Sequence, residues 1–225
     1  TIIDNALVYN AIIGYDAKDF KSKATSNIDL DSVINTSFKG KRFGAIKGLL
    51  NDSLYSNSLE LLKKYGAEIV TIEPKNIKLP DFLRLLNLDM KVDLTYYFQN
   101  HAHKNITFDG VQSIIEYNNL DSIQRAPYGQ KLFEGIVEDS ATSEEFNVIK
   151  KTLKTNGRAY FDVVMTTYKL DGVLSINNYH AGYAAVAEYP AITVPMGINK
   201  ENGPMGLTFI AKPFQEKQLY QWGYH

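Results

Sequence analysis

The sequence predicts an α/β fold in which a mixed β-sheet is covered by helices. Three observations lead to this prediction. Residues 41–72 read as a strand, a helix and a strand; residues 83–163 carry long stretches of helical periodicity; and residues 191–211 contain two apolar runs joined by Gly and Pro. A chain of 225 residues is long enough to bury a substantial core.

The first segment is predicted to be a helix that ends near Gly14. Ile3 and Leu7 recur at helical spacing, and glycine commonly follows the last turn of a helix. Residues 15–39 are polar and rich in Asp, Ser, Thr and Asn, which indicates a surface connection with at most a short turn near Asp31.

A strand-helix-strand unit follows. Residues 41–46 read as a strand, residues 58–65 as a helix that stops at Gly66, and residues 68–72 as a second strand. Because crossovers of this kind are right-handed and join neighbouring strands of one sheet, the two strands are predicted to be parallel.

A long helix is predicted beyond Pro80. Its apolar face is predicted from residues spaced by three or four: Leu83, Leu86, Met90, Leu94 and Tyr97. The other side carries the polar residues Arg84, Asn87, Lys91 and Thr95.

Three further helices are predicted in the middle of the chain. Shorter helices are predicted over residues 111–117 and 131–137. Thr142 and Glu145 have the spacing of a capping box that begins another helix, with Gly157 as a kink or break inside it. The buried face of that helix is predicted to carry Phe146, Ile149, Leu153 and Val163.

The last part of the chain is predicted to supply the remaining strands. The Asp-Gly pair at residues 171–172 turns the chain into a strand over residues 173–176. Strands around Ile192 and Phe209 then complete the sheet.

Composition excludes several classes of function. A formal net charge of -1, with lysines and carboxylates interspersed, gives no electrostatic footprint for nucleic acid. The absence of cysteine excludes disulfides, thiolate nucleophiles and cysteine-based metal sites. No cofactor is predicted.

No complete catalytic set is recognisable in these residues. GxSxG, Ser-x-x-Lys, phosphate-loop, GxGxxG and HExxH patterns are all missing. His101 and His103 are the closest histidine pair, but they end a predicted helix, where neighbours two apart diverge, and a metal would need a third ligand. We therefore predict a surface helix terminus there and no metal site.

The turn after the third strand is the candidate binding region. His180 follows a strand end, and ligands of α/β sheets bind beyond such ends. Together with Asn177, Asn178 and Tyr179 it is predicted to bind substrate; the alternative is an incidental loop histidine.

The two ends of the chain resemble a known family. Residues 191–197 and 203–211, with residues 188–190 before them and residues 214–219 behind, are similar to the C-terminal segment of the amidase signature family. Residues 1–7 are similar to the helix that follows that family's catalytic region.

The middle of the chain points to one branch of that family. Residues 114–119 and 128–133 look like the segment found in the peptide amidase and 6-aminohexanoate cyclic-dimer hydrolase branch. Residues 39–44 and 65–70 match the family's strand-helix-strand unit, although such units are common.

The resemblance implies an activity and indicates which portion of the protein carries the catalytic residues. Residues 1–225 would be the C-terminal portion of a single amidase domain, with the catalytic N-terminal portion absent from this chain. The implied reaction is hydrolysis of carboxamide C–N bonds through a Ser-Ser-Lys acyl-enzyme mechanism. No residue of this chain is then catalytic, and the chain alone is expected to be inactive. Residues 175–180 depart from the family's Pro-Thr type of turn, which commonly approaches the substrate side.

The expected partners follow from the same resemblance. They are a small-molecule amide or peptide amide substrate and the missing N-terminal half, with no nucleic acid. Self-association is also expected, because a cut through one folded enzyme leaves apolar surface exposed. Two alternatives stay open at this point: a non-catalytic α/β ligand-binding domain, and an amidotransferase-type subunit that passes ammonia to a partner.

Overall fold

The computed structural model describes residues 1–225. Its helices are α1 (Ile2–Ile12), α2 (Leu30–Ile34), α3 (Ser53–Lys64), α4 (Phe82–Asn100), α5 (Val111–Asn119), α6 (Ser122–Arg125), α7 (Lys131–Glu138), α8 (Ser143–Thr167), α9 (Ala181–Ala187) and α10 (Glu216–Tyr224). Its strands are β1 (Arg42–Ile46), β2 (Glu68–Ile72), β3 (Gly172–Ile176), β4 (Ala191–Ile198) and β5 (Pro204–Ile210). A single 3-10 turn, Lys47–Leu49, follows β1.

The chain divides into two compact units. One comprises Thr1–Ile77 and Lys154–His225 and contains all five strands. The other comprises Lys78–Leu153 and is helical. The assignment of residues 1–225 to a portion of one domain stays a prediction.

The sheet is mixed, which confirms the predicted fold class. The strand order is β2-β1-β3-β5-β4. The strand-helix-strand prediction is confirmed, because β1 pairs with β2 in parallel, and β1 pairs with β3 in the same sense. The contacts of β5 with β3 and with β4 are antiparallel.

Helices cover the two faces of the sheet. On one face, Phe43, Leu174 and Phe209 join a buried cluster with side chains of α3 and α10. On the other, Val173 and Ile210 join a cluster with side chains of α8 and α9. Successive residues of a strand point to opposite faces, so each central strand contributes side chains to both clusters. No helix combines the length and the apolar composition needed to cross a bilayer.

Helix α3 begins five residues earlier than the sequence predicts. The Asp52 carboxylate accepts a hydrogen bond from Tyr55 N at 2.9 Å, which is the usual way to cap a helix N-terminus. The Tyr55 hydroxyl donates to the Leu174 carbonyl at 2.9 Å and accepts from Ile46 N at 3.3 Å. Burial raises the pKa of this hydroxyl. Tyr55 therefore ties α3 to two strands.

The segment over residues 15–39 is more than a surface connection. It buries Ile28, Val33 and Phe38, and it contains α2. The Asn10 side chain donates to the Ile28 carbonyl at 2.9 Å and accepts from Ile28 N at 2.7 Å. One amide therefore supplies both hydrogen bonds of a backbone position, which allows an irregular segment to be buried.

Helix α8 runs through Gly157 without the predicted break. A Cβ at Gly157 would lie 2.6 Å from a Val186 methyl and 2.9 Å from Ala187 N, so the glycine permits α9 to approach closely. The predicted capping box is confirmed, with Glu145 accepting from Thr142 N at 2.8 Å and Thr142 Oγ1 accepting from Glu145 N at 3.2 Å.

The predicted buried face of α8 is right in its centre and wrong at its end. Ile149 and Leu153 are buried, whereas Val163 is 44% exposed and its neighbour Val164 is buried. Val163 lies ten residues after Leu153. At 3.6 residues per turn this spacing is not a whole number of turns, so Val163 lies off the packed face of the helix.

The packed side of α4 is the reverse of the predicted one. Leu83, Leu86, Met90 and Tyr97 are about half exposed, and Asn87 is buried. Of the apolar set, Leu94 packs against the small cluster around Val111, Ile115 and Ile136.

Polar contacts hold the packed side of α4 to the end of α7. Asn87 Nδ2 donates to Asp139 Oδ2 at 3.2 Å, and Arg84 Nε donates to Asp139 Oδ1 at 3.2 Å. Lys91 Nζ donates to the carbonyls of Val137 and Asp139 at 2.8 and 2.9 Å. The last carbonyls of a helix lack intrahelical partners, so a lysine from a neighbouring helix satisfies them.

Candidate functional site

The four predicted site residues form one tight connection between β3 and α9. Asn177 has a left-handed backbone with φ of 45°, a conformation that asparagine tolerates better than most residues. The backbone N–H of Tyr179 then donates to the Ile176 carbonyl at 3.0 Å. Helix α9 begins directly after His180. The turn is therefore short and held by its own backbone.

Asn177 ties this turn to β5. Its side-chain oxygen accepts from Gly206 N at 2.6 Å, and its backbone N–H donates to the Gly206 carbonyl at 2.9 Å. Its carbonyl accepts from Thr208 Oγ1 at 2.6 Å. The turn therefore has a fixed position relative to the strand beside it.

Three hydroxyl side chains lie in a row across the neighbouring strands. Ser175 pairs with Thr208 between β3 and β5, and Thr208 pairs with Thr193 between β5 and β4. Directly paired residues point to the same side of a sheet, and Thr193 Oγ1 lies 2.8 Å from Thr208 Oγ1. The sheet thus presents a polar row on the face that α9 covers.

The turn and the hydroxyl row line one cavity of about 400 Å³. Its polar lining consists of Ser175, Asn177, Asn178, His180, Thr193 and Thr208. Amide, hydroxyl and imidazole groups offer hydrogen bonds without a formal charge, which suits a neutral polar ligand. Three of the four predicted residues are therefore brought together. Tyr179 is not among the lining residues and is 58% exposed.

His180 and Ser175 form the closest polar contact in the cavity. The His180 Nδ1 and Ser175 Oγ atoms are 2.6 Å apart. Burial lowers the pKa of the imidazole, so the ring is neutral at pH 7. In the tautomer protonated at Nε2, the serine hydroxyl donates to Nδ1. The Tyr160 ring stacks on the imidazole at 5.8 Å between centroids.

This contact has the distance of a nucleophile and its base but lacks the rest of such a site. Ser175 is 1% exposed in a central strand, and no carboxylate is hydrogen-bonded to the imidazole. An attacking hydroxyl has to reach its electrophile, and its base is normally oriented by a third group. The pair therefore holds the turn against the sheet.

The other histidine pair lies where the sequence predicts. His101 is the residue that ends α4, and its ring lies 5.5 Å from that of Tyr96. His103 Nδ1 accepts a hydrogen bond from Asn105 N at 3.2 Å. No group of three or more histidine, aspartate or glutamate side chains is placed to hold a metal ion.

Sequence reasoning missed Thr193 and Thr208 as lining residues. A signal was present, because each is a lone hydroxyl inside an otherwise apolar run, at residues 191–194 and 206–210. Their alignment with Ser175 depends on strand register, which one sequence does not reveal.

Comparison with known proteins gives relatives that are amidases and amidotransferase subunits. No family model matches the chain. A probable amidase of Arabidopsis thaliana is 22% identical over 239 residues, which cover 98% of this chain and 45% of that protein. A glutamyl-tRNA(Gln) amidotransferase subunit of Staphylococcus epidermidis is 26% identical over 263 residues, which cover 98% of this chain and 51% of that protein. The chain thus spans about half the length of the curated relatives it matches.

The solved structures that resemble this chain include amidases as well. An amidase family protein from Bacillus anthracis matches with a TM-score of 0.84 and 29% identity, covering 100% of this chain and 46% of that one. The peptide amidase of Stenotrophomonas maltophilia matches with a TM-score of 0.87 and 23% identity, covering 100% of this chain and 50% of that one. The likeness to the peptide amidase, at 23% identity, concerns the fold alone.

Proposed function

We propose that this chain is the C-terminal part of an amidase. Its relatives and structural neighbours are amidase signature enzymes, which it matches as their C-terminal half. The proposed reaction is hydrolysis of carboxamide C–N bonds. The observation that carries the proposal is the match to the Bacillus anthracis amidase family protein over 100% of this chain.

The proposed mechanism uses two serines and a lysine that precede this chain. Lysine and a bridging serine take the proton from the second serine, whose oxygen attacks the amide carbon. The amine leaves, and water hydrolyses the resulting acyl-enzyme. Coverage of about half of each relative supports placing this set outside these 225 residues.

The proposed contribution of this chain is part of the substrate pocket. A carboxamide offers one N–H donor side and one carbonyl acceptor and carries no charge. The uncharged hydrogen-bonding groups of Asn177, Asn178 and Thr208 in the 400 Å³ cavity match that chemistry. His180 is proposed to hold the turn in place through its contact with Ser175. Tyr179 lies at the exposed edge of the turn and is proposed to contact substrate only from outside the cavity.

The test compares the 225-residue chain with the whole protein. Both are assayed against peptide amides, linear amides and cyclic amides. We expect turnover by the whole protein and none by this chain. Turnover by the purified chain would overturn the placement of the catalytic set.

A second assay tests the pocket. Asn178 is exposed and lines the cavity, so we expect Asn178→Ala to leave the fold intact. In the whole protein we expect a KM several-fold higher with little change in kcat, which is the signature of lost ground-state binding. Asn147→Ala, an exposed change on α8 outside the cavity lining, is the matched control.

One observation favours a second candidate, an amidotransferase-type subunit. The 26% identity to the glutamyl-tRNA(Gln) amidotransferase protein is as informative as the likeness to the plant amidase. A protein of that kind is expected to release ammonia from an amide only together with its partners. Hydrolysis of simple amides by the whole protein alone would favour the amidase; binding of amides without hydrolysis in either setting would favour a non-catalytic ligand-binding domain.

A further inference from the structure

A second cavity, with a different chemistry, lies beside α9. It has a volume of about 730 Å³, and we call it the basic cavity after the lysines and arginine that line it. Those cations are Lys21, Lys23, Lys154 and Arg158. Only two carboxylates, Glu188 and Glu216, line it with them, so the lining carries a formal charge of +2.

Glu188 marks where a carboxylate fits among these cations. Its Oε1 lies 2.5 Å from Lys21 Nζ, and its Oε2 lies 2.7 Å from Lys154 Nζ and 3.6 Å from an Arg158 terminal nitrogen. The hydrogen bonds from Lys154 and Lys21 lower the pKa of Glu188 to about 2. One carboxylate thus faces three cations from two parts of the chain, which leaves an excess of positive charge beside it.

Two of the cations of the basic cavity lie on the same face of α8. Lys154 and Arg158 are four residues apart on α8, where like charges repel. The Arg158 guanidinium donates from Nε to the Ala187 carbonyl at 3.2 Å, and one of its terminal nitrogens lies 3.6 Å from Glu188 Oε2. The other terminal nitrogen is able to donate to an added anion. A cleft lined mostly by one sign of charge concentrates ions of the other sign.

The remaining walls of the basic cavity are apolar and include a strained residue. Phe20 is 91% exposed, and Phe214 has a left-handed φ of 63°, which is costly for an aromatic residue. Lys23 Nζ lies 4.4 Å from the centre of the Phe214 ring. Glu188 also has a positive φ, of 60°. Strained backbone of this kind gathers at ligand sites more often than elsewhere.

We propose that the basic cavity binds a small organic anion, an aromatic carboxylate, whose charged group meets Lys154 and Arg158 and whose ring packs against Phe214. This site is separate from the amide reaction proposed above and does not depend on it. The charge and the ring of the ligand are recognised by different residues, so each contribution is testable alone.

The experiment titrates the 225-residue chain with benzoate and follows amide chemical shifts of residues 184–189 and 214–216 by NMR. We expect localised shifts with a Kd of about 1 mM, the weak affinity typical of so small a ligand. Benzamide has the same shape without the charge and is expected to bind at least about tenfold more weakly. Phenyl phosphate distinguishes a carboxylate site from a phosphate site, and tighter binding of the phosphate would overturn the choice of carboxylate.

Three variants separate the contributions. Lys154→Met removes the cation that lies 2.7 Å from Glu188 Oε2 and is expected to weaken benzoate binding about fivefold. Lys200→Met makes the same change of charge in the exposed β4–β5 turn and is expected to leave benzoate binding unchanged. Phe214→Asn removes the ring and introduces a residue that tolerates a positive φ. It should therefore weaken the binding of benzoate but not the binding of acetate.

Two further results would overturn the proposal. One is the absence of shifts at these residues with benzoate while the circular dichroism spectrum shows a folded chain. The other is benzoate binding that Lys154→Met and Lys200→Met weaken equally, because that would mean attraction to net charge rather than to this cavity.

Discussion

The side-chain oxygen of Asn177 accepts a hydrogen bond from the backbone N–H of Gly206 at 2.6 Å. The same residue takes the left-handed conformation that ends β3. Asn177 therefore both bends the chain into the candidate site and fastens it to β5. Few side chains perform both tasks, since the residue has to tolerate a positive φ and carry an acceptor oxygen on a short stem.

Asn177→Ala is expected to lower the free energy of unfolding by about 2 kcal/mol, because it loses the hydrogen bond and strains the turn. Asn177→Gly relaxes the backbone and is expected to cost about 1 kcal/mol, the value of the bond alone. Asn177→Asp keeps the acceptor and should be the mildest change. Urea unfolding monitored by circular dichroism gives the three values, and equal losses in Ala and Asp variants would contradict the role of the oxygen.

Burial of His180 predicts a dependence of stability on pH. Its pKa is lower in the folded chain than in the unfolded chain, so the unfolded chain binds more protons as the solution is acidified. The contribution of His180 is complete above its unfolded pKa of about 6.5 and is lost as the pH falls through the lower folded value. Unfolding in urea at pH 7 and at pH 5 measures the loss.

Two variants test this origin. In His180→Gln the amide oxygen can accept from Ser175 but does not titrate, so the drop in stability between pH 7 and pH 5 should shrink. His101→Gln, at the exposed end of α4, should leave the drop as it is in the original chain. The same drop in all three proteins would show that other groups cause it.

The close approach of α8 and α9 makes Gly157 sensitive to a single methyl group. An alanine Cβ there would lie 2.8 Å from the Tyr183 carbonyl oxygen and 2.9 Å from Ala187 N, atoms that do not move independently of α9. We expect Gly157→Ala to destabilise the chain by about 1–3 kcal/mol despite the better helix propensity of alanine. Gly48→Ala, which meets no atom within 4 Å, should change stability by less than about 0.5 kcal/mol in the same thermal or urea unfolding assay.

The exposed apolar face of α4 predicts self-association of the purified chain. Leu83, Leu86 and Met90 lie on one side of the helix and are about half exposed. The partner we expect in solution is a second copy of the chain, because the purified sample offers no other protein. Light scattering should show a mass that rises with concentration, and Leu86→Gln with Met90→Gln should reduce it. Leu120→Gln, a similar loss of exposed apolar surface at the end of α5, should have little effect. A monomer at high concentration in the unmodified chain would refute this expectation.

Local signals predicted the elements well where each rested on neighbouring residues. The strand-helix-strand unit was recognisable from its apolar runs and from Gly66, which has a positive φ at the end of α3. The capping box of α8 was recognisable because Thr142 and Glu145 are only three residues apart. Local hydrogen bonds and local spacing determine both features, so one sequence is enough to find them.

Features that depend on distant partners were beyond such reasoning. Periodicity identified the two sides of α4, but the side that packs is the polar one, because Asp139 and the end of α7 supply partners for Arg84, Asn87 and Lys91. Of the candidate site, the turn was predicted and the hydroxyl row was not.

Strand β4 forms one margin of the sheet, so only one side of its backbone pairs with a strand, β5. Pro195 has no N–H to offer, and the pairing with β5 shifts between Pro195 and Gly197. A foreign strand laid along this margin would meet a missing donor and a local bend in the middle of its run. The Pro-Met-Gly sequence therefore also discourages the growth of fibrils from the rim of the sheet.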